Sequence, residues 1–188
     1  MITPRGNFLS VWLLVASVAA ADDPGIPLGS SDACLEGPLA QFGRYIGDWK
    51  IEDSQLARDG SGWSAGAGAR WIFSCLGDGT AIQDFWLPPD GNVGTNLRTY
   101  NAKTGSWEIA WAINTLPGFA HISARQDDDG NIVMRYVRPE PDPLRRITFF
   151  PPDATGWNWK LEFSSDGGET WTEVYRIRAT PFAAAASG

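Results

Sequence analysis

The sequence predicts an all-β protein, an antiparallel up-and-down β-barrel of about eight to ten strands that follows one short helix. Runs of alternating apolar and polar residues recur along the chain, which is typical of strands with one buried face. Clusters of Gly, Pro, Asn and Asp separate these runs at even spacing, as expected for hairpin turns. The ten tryptophans of the 188-residue chain also need apolar surroundings, such as a cavity wall. The predicted strands are 48–56, 63–75, 80–87, 93–100, 106–114, 119–126, 132–138, 145–150, 157–164 and 170–179.

Residues 1–21 have the layout of a secretory signal peptide. Arg5 precedes an apolar run over 8–18, and three alanines then meet Asp22 in an A-x-A cleavage pattern. The run is shorter than the ~20 residues that a membrane-spanning helix needs. We therefore expect export to the periplasm or the extracellular space, with no membrane attachment once the leader is removed.

The remaining chain is predicted to form one domain. Residues 22–32 are rich in Pro, Gly and Ser and are expected to be a flexible lead-in, 33–182 the barrel, and 183–188 a disordered tail. The length suits a single core. The formal charge is -7, and loss of the leader's one charged residue, Arg5, makes it -7 - 1 = -8. Such a charge disfavours binding to nucleic acid or to anionic lipid.

The short helix is predicted ahead of the first strand. Leu35, Leu39, Phe42 and Ile46 recur at helical spacing, so their apolar stripe is expected to pack on the barrel. Pro38 falls in the first turns, where proline is best tolerated.

Two cysteines, Cys34 and Cys75, complete the framework. In an oxidising compartment an even pair favours a disulfide, and two buried free thiols are the alternative. Neither cysteine has a neighbour at zinc-ligand spacing, and the chain holds one histidine, His121, so we expect no metal site.

Alternation in two of the runs predicts which face is buried. The tryptophans of 106–114 and 157–164 alternate with small, polar or charged residues, and turning the strands over would expose them. We therefore expect an apolar space, open at one end, enclosed by Trp107, Trp111, Trp157, Trp159 and Phe163.

Gly47-Asp48-Trp49 at the entry to the first strand resembles the lipocalin and calycin signature. The later segments 94–101 and 164–171, with Trp107 and Trp111 between them, extend the resemblance to an uncharacterised family of bacterial, often exported, lipocalin-like proteins over residues 42–179. The resemblance implies a fold and transfers no activity or catalytic residues. It also implies that Trp49 closes one barrel end, with Arg176 or Arg178 over its ring.

Five polar residues are candidates for orienting a ligand inside the barrel: Asp53, Asp84, Arg98, Tyr100 and His121. A buried carboxylate would need a partner such as Arg98. If its strand face points inward, His121 could act as a general base or an axial haem ligand. Structural salt bridges, and a hydrogen-bonded or exposed histidine, are the alternatives.

Two local motifs are interpreted as turns. Ser164-x-Asp166-x-Gly168-x-Thr170-Trp171 matches the Asp box of sialidases, but it occurs once in a chain too short for a propeller. We expect it to rigidify a hairpin. The acidic segment 127–131 lacks the ligand spacing of a calcium loop, so we expect a solvated hairpin turn there.

These observations favour an exported barrel that binds a small apolar or aromatic molecule in an aromatic-lined cavity. The alternative is an enzyme on the same barrel, an isomerase, dehydratase or cyclase that uses a buried carboxylate or His121. Its only support is fold analogy. A filled barrel with a structural role is the third possibility. The sequence identifies no cofactor.

Overall fold

The computed structural model describes residues 32–77 and 79–182. The predicted signal peptide 1–21, almost all of the lead-in 22–32 and the tail 183–188 lie outside these residues. The strands are β1 (Gly47–Leu56), β2 (Trp63–Ala65), β3 (Ala69–Leu76), β4 (Ala81–Leu87), β5 (Gly94–Asn101), β6 (Ser106–Ile113), β7 (Ala120–Gln126), β8 (Ile132–Arg138), β9 (Leu144–Phe149), β10 (Trp157–Ser164) and β11 (Thr172–Pro181).

Ten of these strands close into an antiparallel barrel, as the sequence predicted. From β3 to β11 each strand pairs with the next one along the chain, and β1 lies between β3 and β11. Closure is made by the pairing of β1 with β11, which places Ile51 opposite Ala179. Within residues 32–77 and 79–182, the closed barrel leaves no unpaired sheet edge apart from that of the short β2. No helix among the described residues is long and apolar enough to span a membrane.

The predicted strand 63–75 is two strands, because the chain bends around a carboxylate between them. Gly68, at φ +73°, donates its N–H to Asp53 Oδ1 at 2.8 Å. A Cβ on Gly66 would lie 1.9 Å from Asp53 Oδ2. Two glycines at this bend therefore let the backbone approach the Asp53 side chain.

The predicted helix is present only as short turns. Two 3₁₀ turns, Asp32–Leu35 and Gly37–Leu39, lead into α1 (Ala40–Gly43). Gly37, the first residue of the second turn, has φ +51°, so a continuous right-handed helix is interrupted there and the predicted stripe is broken. Phe42 is buried as expected, whereas the Leu35 side chain is 48% exposed and Cys34 is buried in its place.

This segment fills and closes one end of the barrel, and residues 32–46 are hereafter called the plug. The predicted disulfide Cys34–Cys75 is confirmed and ties the plug to β3. Phe42 meets Trp107 edge-on at 4.9 Å, and Tyr45 packs on Trp157 at 5.1 Å between ring centroids. Aromatic side chains of the plug therefore occupy the barrel interior at this end.

The Asp-box motif forms the hairpin turn between β10 and β11, as predicted. Asp166 accepts hydrogen bonds from the Ser164 hydroxyl at 2.6 Å and from the Thr170 N–H at 2.9 Å. Trp171 donates its indole N–H to Gly168 O at 3.0 Å. The side-chain hydrogen bonds from Ser164 and Thr170 hold the pKa of Asp166 well below its usual range.

Replacing Asp166 by Ala is expected to lower the melting temperature by a few degrees at pH 7, because the turn then loses several charge-assisted hydrogen bonds. The folded-state pKa of Asp166 is lowered, so its contribution is complete above the ordinary aspartate pKa. That contribution is lost as the pH falls through the folded-state value. The wild-type and variant melting curves should therefore converge in acid. Glu169→Ala removes an equal charge from the same turn and serves as the control. An equal effect of the two variants would contradict the assignment.

Candidate functional site

The half of the barrel opposite the plug contains a cavity of about 290 Å³. Its wall is mainly aromatic and aliphatic, with three polar side chains. The lining residues are Trp71, Trp86, Trp111, Trp159, Phe149, Tyr136, Tyr175, Ile113, Ile122, Ile147, Ile177, Leu161, Met134, Asn96, Arg98 and Arg145.

The mouth of the cavity lies where β6 and β8 end and β9 begins. Ile113 is the last residue of β6, and Arg145 is the second residue of β9. Trp71 marks the other limit of the cavity, since its ring contacts Trp86 on the cavity side and Phe73 on the plug side. The barrel interior is thus packed at one end and hollow at the other.

Gly94 leaves room for the Trp111 indole, which forms part of the cavity wall. A Cβ on this residue would lie 2.2 Å from Cη2 of Trp111, so any side chain there would displace the indole. A glycine within a strand often marks such a close approach.

A fully buried ion pair lies on β4 and β5, within the barrel. Arg98 Nη2 donates to Asp84 Oδ2 at 2.5 Å, and both side chains are 0% exposed. Asp84 also accepts from the backbone N–H of Asn96 at 3.0 Å and from its side-chain amide at 3.1 Å. The carboxylate is thereby held by several donors, as a buried charge requires.

The Arg98 guanidinium is surrounded by rings and is incompletely hydrogen-bonded. Its centre lies 4.8 Å from the Phe42 ring and 5.2 Å from the Phe73 ring. Within the described residues, Arg98 Nε and Nη1 and Trp71 Nε1 are buried and have no hydrogen-bond partner. Both side chains contribute to the cavity wall, but these three nitrogens are enclosed by protein atoms and are not exposed to the cavity.

Of the predicted ligand-binding residues, Trp111, Trp159 and Arg98 line the cavity, and Asp84 lies behind Arg98. Two further predicted residues, Trp107 and Trp157, point inward but are fully buried in the packed half. Trp107 donates its N–H to Gln41 Oε1 of the plug at 2.9 Å.

Two other predicted ligand-binding residues, Tyr100 and Phe163, are outside the cavity wall. Tyr100 packs on Trp107 at 5.5 Å and belongs to the packed half. The Arg145 guanidinium at the mouth lies 5.6 Å from the Phe163 ring. Neither Tyr100 nor Phe163 is among the cavity-lining residues.

His121 lies outside the cavity, which corrects the expectation that depended on an inward orientation. Its Nε2 is 2.6 Å from Glu108 Oε2, and both side chains are about a third exposed. The next residue, Ile122, is buried in the barrel. Alternation along β7 therefore places His121 on the outer face.

Asp53 is likewise not among the residues that line the cavity. Its carboxylate instead supports the backbone bend at Gly66–Gly68. Its Oδ2 accepts the Tyr175 hydroxyl at 2.6 Å. Burial, and then Asp53, raise the pKa of the Tyr175 phenol well above its ordinary value. Asp53 thus fixes the orientation of Tyr175, which does line the cavity.

The lipocalin resemblance implied that an arginine covers the Trp49 ring, and this prediction is wrong. Arg176 lies 3.6 Å from the Trp63 ring centroid, and Arg178 contacts Asp153 and Thr155. Ile177 between them is buried in the barrel, so both arginines face outward. The Trp49 indole instead donates to Tyr45 O at 2.8 Å.

Comparison with solved structures gives similar barrels. The S-type phycobiliprotein lyase CPES from Guillardia theta matches with a TM-score of 0.55 at 7% identity, over 82% of this chain and 97% of that one. Rv2717c from M. tuberculosis matches with a TM-score of 0.50 at 10% identity, over 79% and 99%. No family model and no curated protein matches the sequence. These likenesses show a lipocalin-like calycin fold, and a shared fold does not establish a shared activity.

Proposed function

We propose that this lipocalin-like barrel binds one small apolar or aromatic molecule in its cavity. The observation that carries the proposal is the cavity itself, about 290 Å³ walled by rings and aliphatic side chains in a barrel whose other half is packed. Small-molecule sites are typically concave and apolar, with few polar groups that set the orientation. Asn96 and Arg145 would be those groups here, since the Arg98 side chain is fully buried.

The cavity wall favours binding over acid–base catalysis. An isomerase, dehydratase or cyclase of the type considered above would need a carboxylate or an imidazole at the ligand. None of the cavity-lining residues in the described chain is Asp, Glu or His. Asp84 is occupied by Arg98 and Asn96, and His121 is outside.

The site of action in this proposal is outside the cytoplasm. The Cys34–Cys75 disulfide is typical of oxidising compartments, in agreement with the signal peptide predicted over 1–21. An exported barrel with an apolar cavity is suited to carrying or sequestering a molecule of low water solubility.

Filling the cavity tests the proposal. Ile122→Trp adds a ring inside the cavity wall, since Ile122 is 1% exposed and lines the cavity. We expect it to weaken binding of 2-methylnaphthalene, measured by isothermal titration calorimetry, by at least about tenfold because the ring occupies the ligand's volume. Overpacking costs about 1–3 kcal/mol of stability, so the fold should survive.

Ser123→Trp is the matched control, because it places the same ring on the outer face of the same strand. It should bind the probe like the wild type. Absence of measurable binding by the wild-type protein, for this and other small aromatic probes, would contradict the proposed function. Equal affinity of wild type and Ile122→Trp would place the ligand elsewhere.

A further inference from the structure

We infer that the ligand is an uncharged aromatic molecule with an O–H or N–H group, which donates a hydrogen bond to the side-chain carbonyl oxygen of Asn96. The inference rests on the proposed function and adds the chemical class of the ligand. It is drawn from the way in which Asp84 orients the Asn96 amide and from the charges of the cavity wall.

The Asn96 amide is held in one orientation by the carboxylate beside it. Its Nδ2 lies 3.1 Å from both Oδ1 and Oδ2 of Asp84, and the Asn96 backbone N–H donates to Oδ1 at 3.0 Å. A carboxylate only accepts hydrogen bonds, so the amide nitrogen faces Asp84 and the carbonyl oxygen is directed elsewhere. Arg98 fixes the position of Asp84 in turn. The Asn96 side chain therefore presents an acceptor that cannot be exchanged for a donor by rotation of the amide.

This carbonyl oxygen, Asn96 Oδ1, is open to the cavity. Asn96 lies on β5 between Asp84 of β4 and Trp111 of β6, and it contributes to the cavity wall. Oδ1 accepts no hydrogen bond from the described residues, and it is not one of their fully enclosed unpaired atoms. Because Asn96 is only 6% exposed and lines the cavity, the surface that Oδ1 retains is directed toward the cavity.

An apolar wall with one unpaired acceptor discriminates between ligands. A ligand that fills the cavity displaces water from Oδ1, and a ligand without a donor then leaves the oxygen unpaired in apolar surroundings, which weakens binding. A ligand with an O–H or N–H group at this position replaces the lost hydrogen bond. Sites with such a buried polar group reject analogues that lack the matching group.

The charges of the wall disfavour an ionised ligand. Asp84 balances the charge of Arg98, and no Asp, Glu or His of the described chain lines the cavity. An ammonium group would therefore have no counterion there and would pass the Arg145 cation at the mouth. A carboxylate would place its oxygens against the partial negative charge of Asn96 Oδ1. An uncharged O–H or N–H group satisfies Oδ1 without either cost.

Three probes of similar shape test the inference by isothermal titration calorimetry at pH 7. 2-Naphthol carries a phenolic O–H group, which is uncharged at this pH. 2-Methoxynaphthalene keeps the oxygen without its hydrogen, and 2-methylnaphthalene has neither. The wild type should bind 2-naphthol about tenfold more tightly than the other two, since an unpaired buried acceptor costs about that factor. Asn96→Ala should abolish this preference, whereas a merely structural loss would weaken binding of all three probes alike.

The double variant Tyr136→Phe/Tyr175→Phe is the matched control, because it removes the other side-chain oxygens in the described part of the wall. It should keep the preference for 2-naphthol, and it tests the assignment even if Asn96→Ala does not fold.

Equal wild-type affinities for the three probes, or a preference that survives in Asn96→Ala, would overturn the inference and leave the proposed function standing. Loss of the preference in the double variant would assign the acceptor to a tyrosine and also overturn it. Tighter wild-type binding of 2-naphthoate than of 2-naphthol would do the same, because the ligand would then be an anion. Binding of none of these probes would count against the proposed function itself.

Discussion

Removal of the Cys34–Cys75 disulfide is expected to lower the free energy of unfolding by about 4 kcal/mol. The two cysteines are 41 residues apart, and in the chain-entropy model the bond removes that much loop-closure entropy from the unfolded chain. Both cysteines are almost fully buried, and Phe42 and Tyr45 of the plug occupy the barrel interior. Loosening the plug would therefore also expose the packed half of the barrel.

The measurement is urea unfolding of the Cys34→Ala/Cys75→Ala variant, followed by circular dichroism. The matched control is the wild-type protein unfolded in the presence of a reductant, which breaks the bond and leaves both sulfur atoms in place. Both should be destabilised to a similar extent, with the difference reporting the small cavities left by alanine. A loss below about 1 kcal/mol in both would show that the plug holds the barrel without the covalent bond.

Breaking the Asp84–Arg98 pair is expected to cost about 3–5 kcal/mol, because the remaining charge stays buried without its partner. Arg98→Met leaves the Asp84 carboxylate with Asn96 alone, and Asp84→Leu leaves the guanidinium among the rings of Phe42 and Phe73. Replacing both residues together removes both charges. The double variant should therefore recover most of the stability that either single variant loses.

Urea unfolding of the two single variants and the double variant forms a double-mutant cycle that isolates this coupling. Lys50→Met is the control, since the Lys50–Glu52 pair is 61% and 67% exposed and should contribute less than about 1 kcal/mol. Additive losses in the double variant would mean that the two charges do not compensate each other.

Local patterns in the sequence predicted most of the barrel, because the pairing of successive strands depends on neighbours in the chain. Alternation about Trp107, Trp111, Trp157 and Trp159 correctly placed these rings inside. Trp71 and Trp86 also line the cavity, but the apolar neighbours Ile72, Phe85 and Leu87 obscure the alternation in their strands.

The errors arose where side chains from distant segments meet. Arg176 and Arg178 were assigned to Trp49 by resemblance, although burial of Ile177 turns them outward. The sequence did not predict which face of β7 points into the barrel, because the residues around His121 have no strongly apolar pattern. In the structure, Ile122 takes the inward position and His121 pairs with Glu108 on the surface.

The sequence by itself determined the fold class, the inward face of the tryptophan-rich strands, the Asp-box hairpin and the only disulfide that two cysteines can form. A period of two specifies which face a side chain takes, but it does not specify how far along the barrel axis that side chain lies. The tertiary structure decided this second question through the closure of β1 on β11 and the insertion of the plug, both of which join segments far apart in the chain. It therefore decided that Trp107 and Trp157 are packed and that Trp111 and Trp159 line a cavity.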